Sequence, residues 1–169
     1  MSTTSEKLYI AAGRDGDITE VISLLAQGVS INSVYGSSTA LMGAAVYGRD
    51  EIISFLLERG ADITVQNSTG WTALMVAAKE GKERAVSLLL CSGADPLVKD
   101  TYGRTALDRA KIMNKHGVVK IIEKYLRQVN VAIFTLGILM LTIIDQLFNS
   151  ESQLEICKRS SLVVISSRI

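Results

Sequence analysis

The strongest constraint on this chain is a pattern that returns every 33 residues. Thr39, Thr72 and Thr105 are spaced by that step, and each is followed by Ala-Leu. Gly60 and Gly93 keep the same 33-residue step. A constant period of this length is typical of stacked supersecondary units, each of which buries its apolar face against its neighbours. The sequence therefore predicts a solenoid of equal units.

Each unit is predicted to consist of a turn at its tip followed by two helices. Thr72 can begin the first helix of the unit at 67–99, because its hydroxyl can accept a hydrogen bond from a first-turn amide. Ala77 and Ala78 are small enough to let neighbouring first helices approach closely. The leucines at 88–90 can fill the outer layer, and Gly70 can supply the positive φ that a tight turn requires.

This arrangement resembles the ankyrin repeat family over residues 6–126, with repeats at about 6–33, 34–66, 67–99 and 100–126. The resemblance implies an all-α ankyrin-repeat solenoid, made of helix-turn-helix pairs with β-turn tips. The family pattern has Pro after the Thr and His after the Leu, where this chain has Ala73 and Met75. We therefore expect packed methionines in place of the family's histidine network.

The first and last repeats differ from the others as end caps do. Residues 1–5 are polar and are expected to be flexible. Glu6 then stands where Thr39 stands one repeat later, which places a charge on the outer face of repeat one. In repeat four, Lys111 replaces a small Ala, and 112–117 is predicted to lengthen the link between the two helices by about three residues.

The chain changes character after residue 126. Residues 131–144 carry no charge, and the longer segment 129–148 is apolar except for Asn130, Asp145 and Gln146. A helix of about 20 residues at about 1.5 Å per residue can cross a hydrocarbon core of roughly 30 Å. No motif identifies the tail at 149–169.

Two interpretations of 129–148 stay open. It is either a transmembrane helix, which would anchor the chain with the ankyrin domain facing the cytosol, or a helix that caps the repeat stack of a soluble cytoplasmic adaptor or regulatory subunit. The basic residues before the segment favour the first topology, since positive charge stays on the cytosolic side. These residues are Lys115, Lys120, Lys124 and Arg127.

Nothing in the sequence points to catalysis, a cofactor, a metal site or a small-molecule substrate. The 18 basic and 17 acidic residues give a net charge of +1, so no overall field attracts nucleic acid. The single histidine, His116, has no nucleophile pattern around it and is assigned to the link before the last helix. Cys91 and Cys157 are expected to be reduced thiols. Acidic residues interrupt the basic stretch of Arg104, Arg109, Lys111, Lys115, Lys120 and Lys124, so no nucleic-acid partner is expected.

The remaining function is protein binding as a scaffold or interaction module. The resemblance implies that a partner protein binds the concave face formed by the turn tips and the exposed side of the inner helices. The only Trp and three of the five Tyr fall on that face, and aromatic residues and Arg dominate interface energies. The predicted binding residues are Tyr35, Ser38, Val46, Tyr47, Gln66, Ser68, Thr69, Trp71, Lys79, Glu80, Lys99, Thr101, Tyr102 and Arg104.

Overall fold

The structure, a computed structural model, describes residues 3–129 and Leu139 and consists there mainly of paired helices. The chain divides into two units at Leu126, Met1–Leu126 and Arg127–Ile169. The helices are α1 (Thr4–Ile10), continued by a π-helical turn (Ala11–Asp15), α2 (Ile18–Ala26), α3 (Ala40–Tyr47), α4 (Asp50–Glu58), α5 (Ala73–Glu80), α6 (Glu83–Cys91), α7 (Ala106–Ile112) and α8, which covers residues 116–129. Two short strands, β1 (Val34–Tyr35) and β2 (Ser38–Thr39), precede α3.

The helices form two layers. The inner helices contact one another in chain order, α1 with α3, α3 with α5 and α5 with α7, while α4 packs beside α6 in the outer layer. Ala44, Ala77 and Ala110 are completely buried between inner helices, and Leu56 and Leu89 are completely buried under the outer ones. The apolar area removed from water is therefore spread along the stack, and the predicted all-α repeat architecture is confirmed for the described residues.

Threonine begins three of the inner helices, as predicted. The hydroxyls of Thr39 and Thr72 accept hydrogen bonds from the amides three residues later, at 3.4 and 3.3 Å. Thr105 does the same at 3.2 Å, and Asp108 accepts from the Thr105 amide in return. Each cap satisfies an amide that has no partner inside the helix, which is worth about 1 kcal/mol.

The link in repeat four differs from the prediction of about three extra residues, which was wrong. Helix α8 begins at residue 116, 33 residues after α6 begins at Glu83. Asn114 takes the place of Gly81 and adopts a left-handed φ of 54°, a conformation that Asn tolerates better than most residues. His116 is therefore the first residue of α8 and does not lie in the link. The exposed Lys111 pairs with Glu123 of α8 at 3.3 Å.

The ends of the described region set limits on the remaining expectations. Helix α1 begins at Thr4, with Thr3 accepting from the Glu6 amide at 3.2 Å, so ordered structure starts two residues before the expected boundary at residue 6. The predicted hydrophobic segment 129–148 lies outside the described residues except for Val129 and Leu139, and the tail at 149–169 lies outside them entirely. Within the part of the chain that the structure describes, no helix is long and apolar enough to span a membrane.

Candidate protein-binding surface

The tip of repeat two is a two-residue β-hairpin. Val34 pairs with Thr39 and Tyr35 with Ser38, so Gly36 and Ser37 form the turn. Both have positive φ, 56° and 79°, as a type I′ turn requires. Val34 stands where the next repeats have Asn67 and Asp100, and it has no side-chain acceptor for the turn amides. Strand pairing satisfies the backbone instead, and it presents Tyr35 at the edge of the surface.

The tips of repeats three and four close around a side-chain oxygen. Asn67 Oδ1 accepts from the amides of Thr69 and Trp71, both at 2.9 Å. Asp100 Oδ1 does the same for the amides of Tyr102 and Arg104, at 2.8 and 3.0 Å. These Asx turns fix the backbone that carries Trp71 and Tyr102, so both aromatic side chains project from rigid positions.

Neighbouring tips are joined directly by hydrogen bonds. The Ser68 and Ser37 hydroxyls lie 3.3 Å apart, and both the amide and the hydroxyl of Thr101 donate to the Thr69 carbonyl, at 3.2 and 3.1 Å. Gln66 Nε2 donates to the carbonyls of Gly70 and Lys99, at 2.8 and 3.3 Å. Several residues predicted to bind a partner therefore also hold the tips in line.

A group of cations and aromatic rings joins repeats three and four. The guanidinium of Arg109, on α7, lies 4.3 Å from the centre of the Trp71 ring and 5.9 Å from that of Tyr102. Lys79 Nζ lies 5.5 Å from the Trp71 ring centre, and Arg104 lies 5.6 Å from that of Tyr102. Contacts of this kind contribute about 0.5–2 kcal/mol each, depending on burial. We call these five residues the C-terminal aromatic group.

Asp100 is a buried carboxylate that holds Arg109 of this group in place. Its side chain is completely buried, and Oδ2 accepts from Arg109 Nε at 2.8 Å and also from Arg109 Nη2. Burial by itself raises the pKa of Asp100, but the Arg104 amide, the Arg109 guanidinium and the Tyr102 amide together hold that pKa below its ordinary value. The carboxylate therefore stays charged, and its charge is compensated inside the protein.

Three tyrosines form a second group at the other end of the surface. The rings of Tyr9 and Tyr35 are 5.7 Å apart at their centres, and the Tyr35 hydroxyl donates to Glu6 Oε1 at 3.1 Å. Burial raises the pKa of Tyr9, and the nearby Tyr47 raises it further. The Tyr9 ring lies over Gly43, where an added Cβ would meet it at 3.0 Å. We call Tyr9, Tyr35 and Tyr47 the N-terminal tyrosine group.

Comparison with known proteins agrees with this repeat geometry. The family model described as "Ankyrin repeats (many copies)" matches residues 41–90 and again residues 74–122. The chain belongs to the ankyrin repeat family. It is also 37% identical over 73 residues to Ankyrin repeat-containing protein P1E11.10 of Schizosaccharomyces pombe. That alignment covers 43% of this chain and 35% of the relative, so the chain spans about a third of the length of the curated relative that it matches.

Six of the predicted binding residues belong to the two aromatic groups of this surface. Trp71, Lys79, Tyr102 and Arg104 lie together in the C-terminal aromatic group, whereas Tyr35 and Tyr47 belong to the N-terminal tyrosine group. None of the predicted residues is buried. Those that are exposed are Tyr35, Tyr47, Gln66, Ser68, Thr69, Lys99, Thr101, Tyr102 and Arg104, and those that are half-buried are Ser38, Val46, Trp71, Lys79 and Glu80.

Sequence reasoning missed two residues of these groups. Arg109 stands where α5 has the buried Val76, and a cation at a core position of the ankyrin repeat signals a partner for the Asp100 carboxylate nine residues earlier. Tyr9 stands where α3 has Met42, and Gly43 leaves the space that its ring needs. Both signals are visible only when the repeats are compared position by position.

The described residues offer little for other chemistry. Among them, no group of three or more His, Cys, Asp or Glu side chains could hold a metal ion. Cys91 is a free, exposed thiol at the end of α6. The surface itself presents aromatic rings, cations and hydrogen-bonding groups along the tips and inner helices.

Proposed function

We propose that this chain is a protein-binding module, and that a partner protein lies across the tips and inner helices between the two aromatic groups. The observation that carries the proposal is the exposure of rings whose backbone is fixed. Tyr35, Tyr47 and Tyr102 are 39%, 44% and 71% exposed, although the repeat stack does not need them in its core. Aromatic side chains bury much area at small entropic cost, so fixed and exposed rings favour recognition.

Removing these rings should weaken binding without unfolding the stack. Tyr47→Ala and Tyr102→Ala should each weaken binding of the partner by about 2 kcal/mol, roughly thirtyfold in Kd. Ile22→Ala is the matched control for Tyr47→Ala, because both side chains are 44% exposed and Ile22 lies on α2, the second helix of repeat one. Quantitative affinity purification with wild type and the three variants measures the amount of partner bound. That amount should fall in both tyrosine variants and stay unchanged in Ile22→Ala. Equal loss in the Ile22 variant, or no loss in either tyrosine variant, would argue against this surface.

We propose two alternatives for the segment 129–148, which differ in whether it anchors the module to a membrane. Membrane tethering through 129–148 stays a prediction of the sequence, as does a cytosolic adaptor in which the segment caps the repeats. Both alternatives leave the tips and inner helices as the proposed partner-binding surface.

A further inference from the structure

We infer that the part of the partner bound at the tip of repeat four is an acidic segment, whose carboxylates pair with Lys99 and Arg104 on either side of Tyr102. The inference rests on the proposed protein-binding function and specifies the chemistry of the partner. Its basis is the charge that remains exposed after the tip has satisfied its own ionic groups.

The cations at this tip are accessible. Lys99 and Arg104 are both exposed, and Tyr102 between them is 71% exposed. Within the described part of the chain, neither cation belongs to an ion pair, whereas Lys79 pairs with Glu80 at 3.1 Å. Arg104 instead rests 5.6 Å from the centre of the Tyr102 ring, where its donors remain free for a ligand.

The acidic groups near the tip are already engaged. Asp100 is completely buried and its charge is matched by Arg109. Asp108 is half-buried and accepts from the amide and hydroxyl of Thr105, at 2.9 and 2.8 Å. Those two hydrogen bonds lower the pKa of Asp108, and the charges of Lys111 and Lys99 contribute. The fully exposed charges at this tip are therefore those of Lys99 and Arg104, while the Asp108 carboxylate is half-buried beside Lys99.

The backbone that carries these side chains is held before binding. The Asx turn of Asp100 fixes the amides of Tyr102 and Arg104, and Thr101 ties the tip to Thr69 in the preceding repeat. A guanidinium binds a carboxylate through paired donors, and the Tyr102 ring offers an apolar face to a neighbouring side chain. A segment that alternates carboxylates with apolar residues matches this arrangement, because preorganisation reduces the entropy lost on binding.

The test uses the full chain and a defined probe. A fluorescein-labelled peptide of repeated Glu-Glu-Leu-Gly units should bind with an affinity that falls as salt rises, and the same peptide with Gln for every Glu should bind at least about tenfold more weakly. Arg104→Glu and Lys99→Glu should each reduce binding of the acidic peptide by a similar factor. Lys124→Glu is the control for net charge, since Lys124 is exposed on α8 and is not part of this tip, and it should leave binding unchanged.

The outcomes separate this inference from the proposed function. Equal binding of the Glu and Gln peptides, equal loss in the Lys124 variant, or tighter binding of a duplex DNA probe than of the acidic peptide would overturn the acidic-segment inference. Circular dichroism of each variant shows whether a loss reflects unfolding. If the acidic peptide does not bind while capture of the partner still depends on Tyr47 and Tyr102, the protein-binding function stands and only the inference of an acidic partner segment is wrong.

Discussion

Replacement of Asp100 by Ala should destabilise the repeat stack strongly, because one carboxylate serves two purposes. Its Oδ1 closes the tip through the amides of Tyr102 and Arg104, and its Oδ2 compensates Arg109, whose side chain is only 12% exposed. Removing one partner of a buried ion pair costs about 3–5 kcal/mol, since the other charge is left without compensation. That is a large share of a typical unfolding free energy of about 5–15 kcal/mol.

Two variants separate the contributions. Asn67→Ala removes the equivalent turn acceptor from repeat three, where no buried charge depends on it, and should cost about 1–2 kcal/mol. Asp100→Asn keeps an oxygen for the turn amides but loses the charge opposite Arg109, and should fall between the two alanine variants. Replacing Arg109 as well should restore part of the loss, because no unpaired charge then remains.

Urea unfolding followed by circular dichroism measures these differences, and the fluorescence of Trp71, the single Trp, reports on the same tip region. From highest to lowest, the unfolding free energies are expected in the order wild type, Asn67→Ala, Asp100→Asn and Asp100→Ala. An Asp100→Ala protein that is as stable as Asn67→Ala would show that the ion pair with Arg109 contributes little, and the reasoning would be wrong.

Three further outcomes are expected. Because the folded pKa of Asp100 is lowered, its contribution to stability is fully present above the ordinary Asp pKa of about 4 and is lost as pH falls below that value. The unfolding free energy should therefore decrease less steeply with falling pH in Asp100→Asn than in wild type. Gly70→Ala should destabilise the protein more than Gly60→Ala, although both glycines have positive φ (75° and 84°). A Cβ at Gly70 would lie 2.9 Å from the Thr101 amide nitrogen, whereas a Cβ at Gly60 would meet nothing within 4 Å. Thermal melts of both variants measure the difference in stability. If 129–148 anchors the chain, carbonate-extracted membranes should retain the full chain and not a truncation ending at Arg127; release of the full chain would contradict spanning.

The repeat architecture could be predicted from the sequence because it is periodic. A step of 33 residues places each Thr-Ala-Leu at a helix start, and one physical solution then serves every repeat. The link before α8 was mispredicted because its sequence looked irregular. Asn114 can adopt the left-handed conformation of the glycine that it replaces, so the period survives a change of residue type.

The organisation of the surface could be predicted only in part. The exposure of Tyr47 and Tyr102 follows from their place in the repeat, but the two separate aromatic groups depend on residues at usually buried positions. Arg109 pairs with Asp100 and in that position contacts the rings of both Trp71 and Tyr102. Tyr9 contacts Tyr35, and Gly43 leaves the space that the Tyr9 ring needs. Such contacts arise from exceptions to the repeat, which the repeat pattern itself does not predict.

Site-specific photo-cross-linking in cells tests the central claim most directly. A photoreactive amino acid would replace Tyr47, Tyr102 or Ile22, one at a time, in the full chain. We expect the Tyr47 and Tyr102 positions to cross-link to the same partner protein. The Ile22 position on α2, which is as exposed as Tyr47, should give no such product. Cross-linking to that partner from Ile22, with none from the two tyrosine positions, would contradict binding through the tips and inner helices.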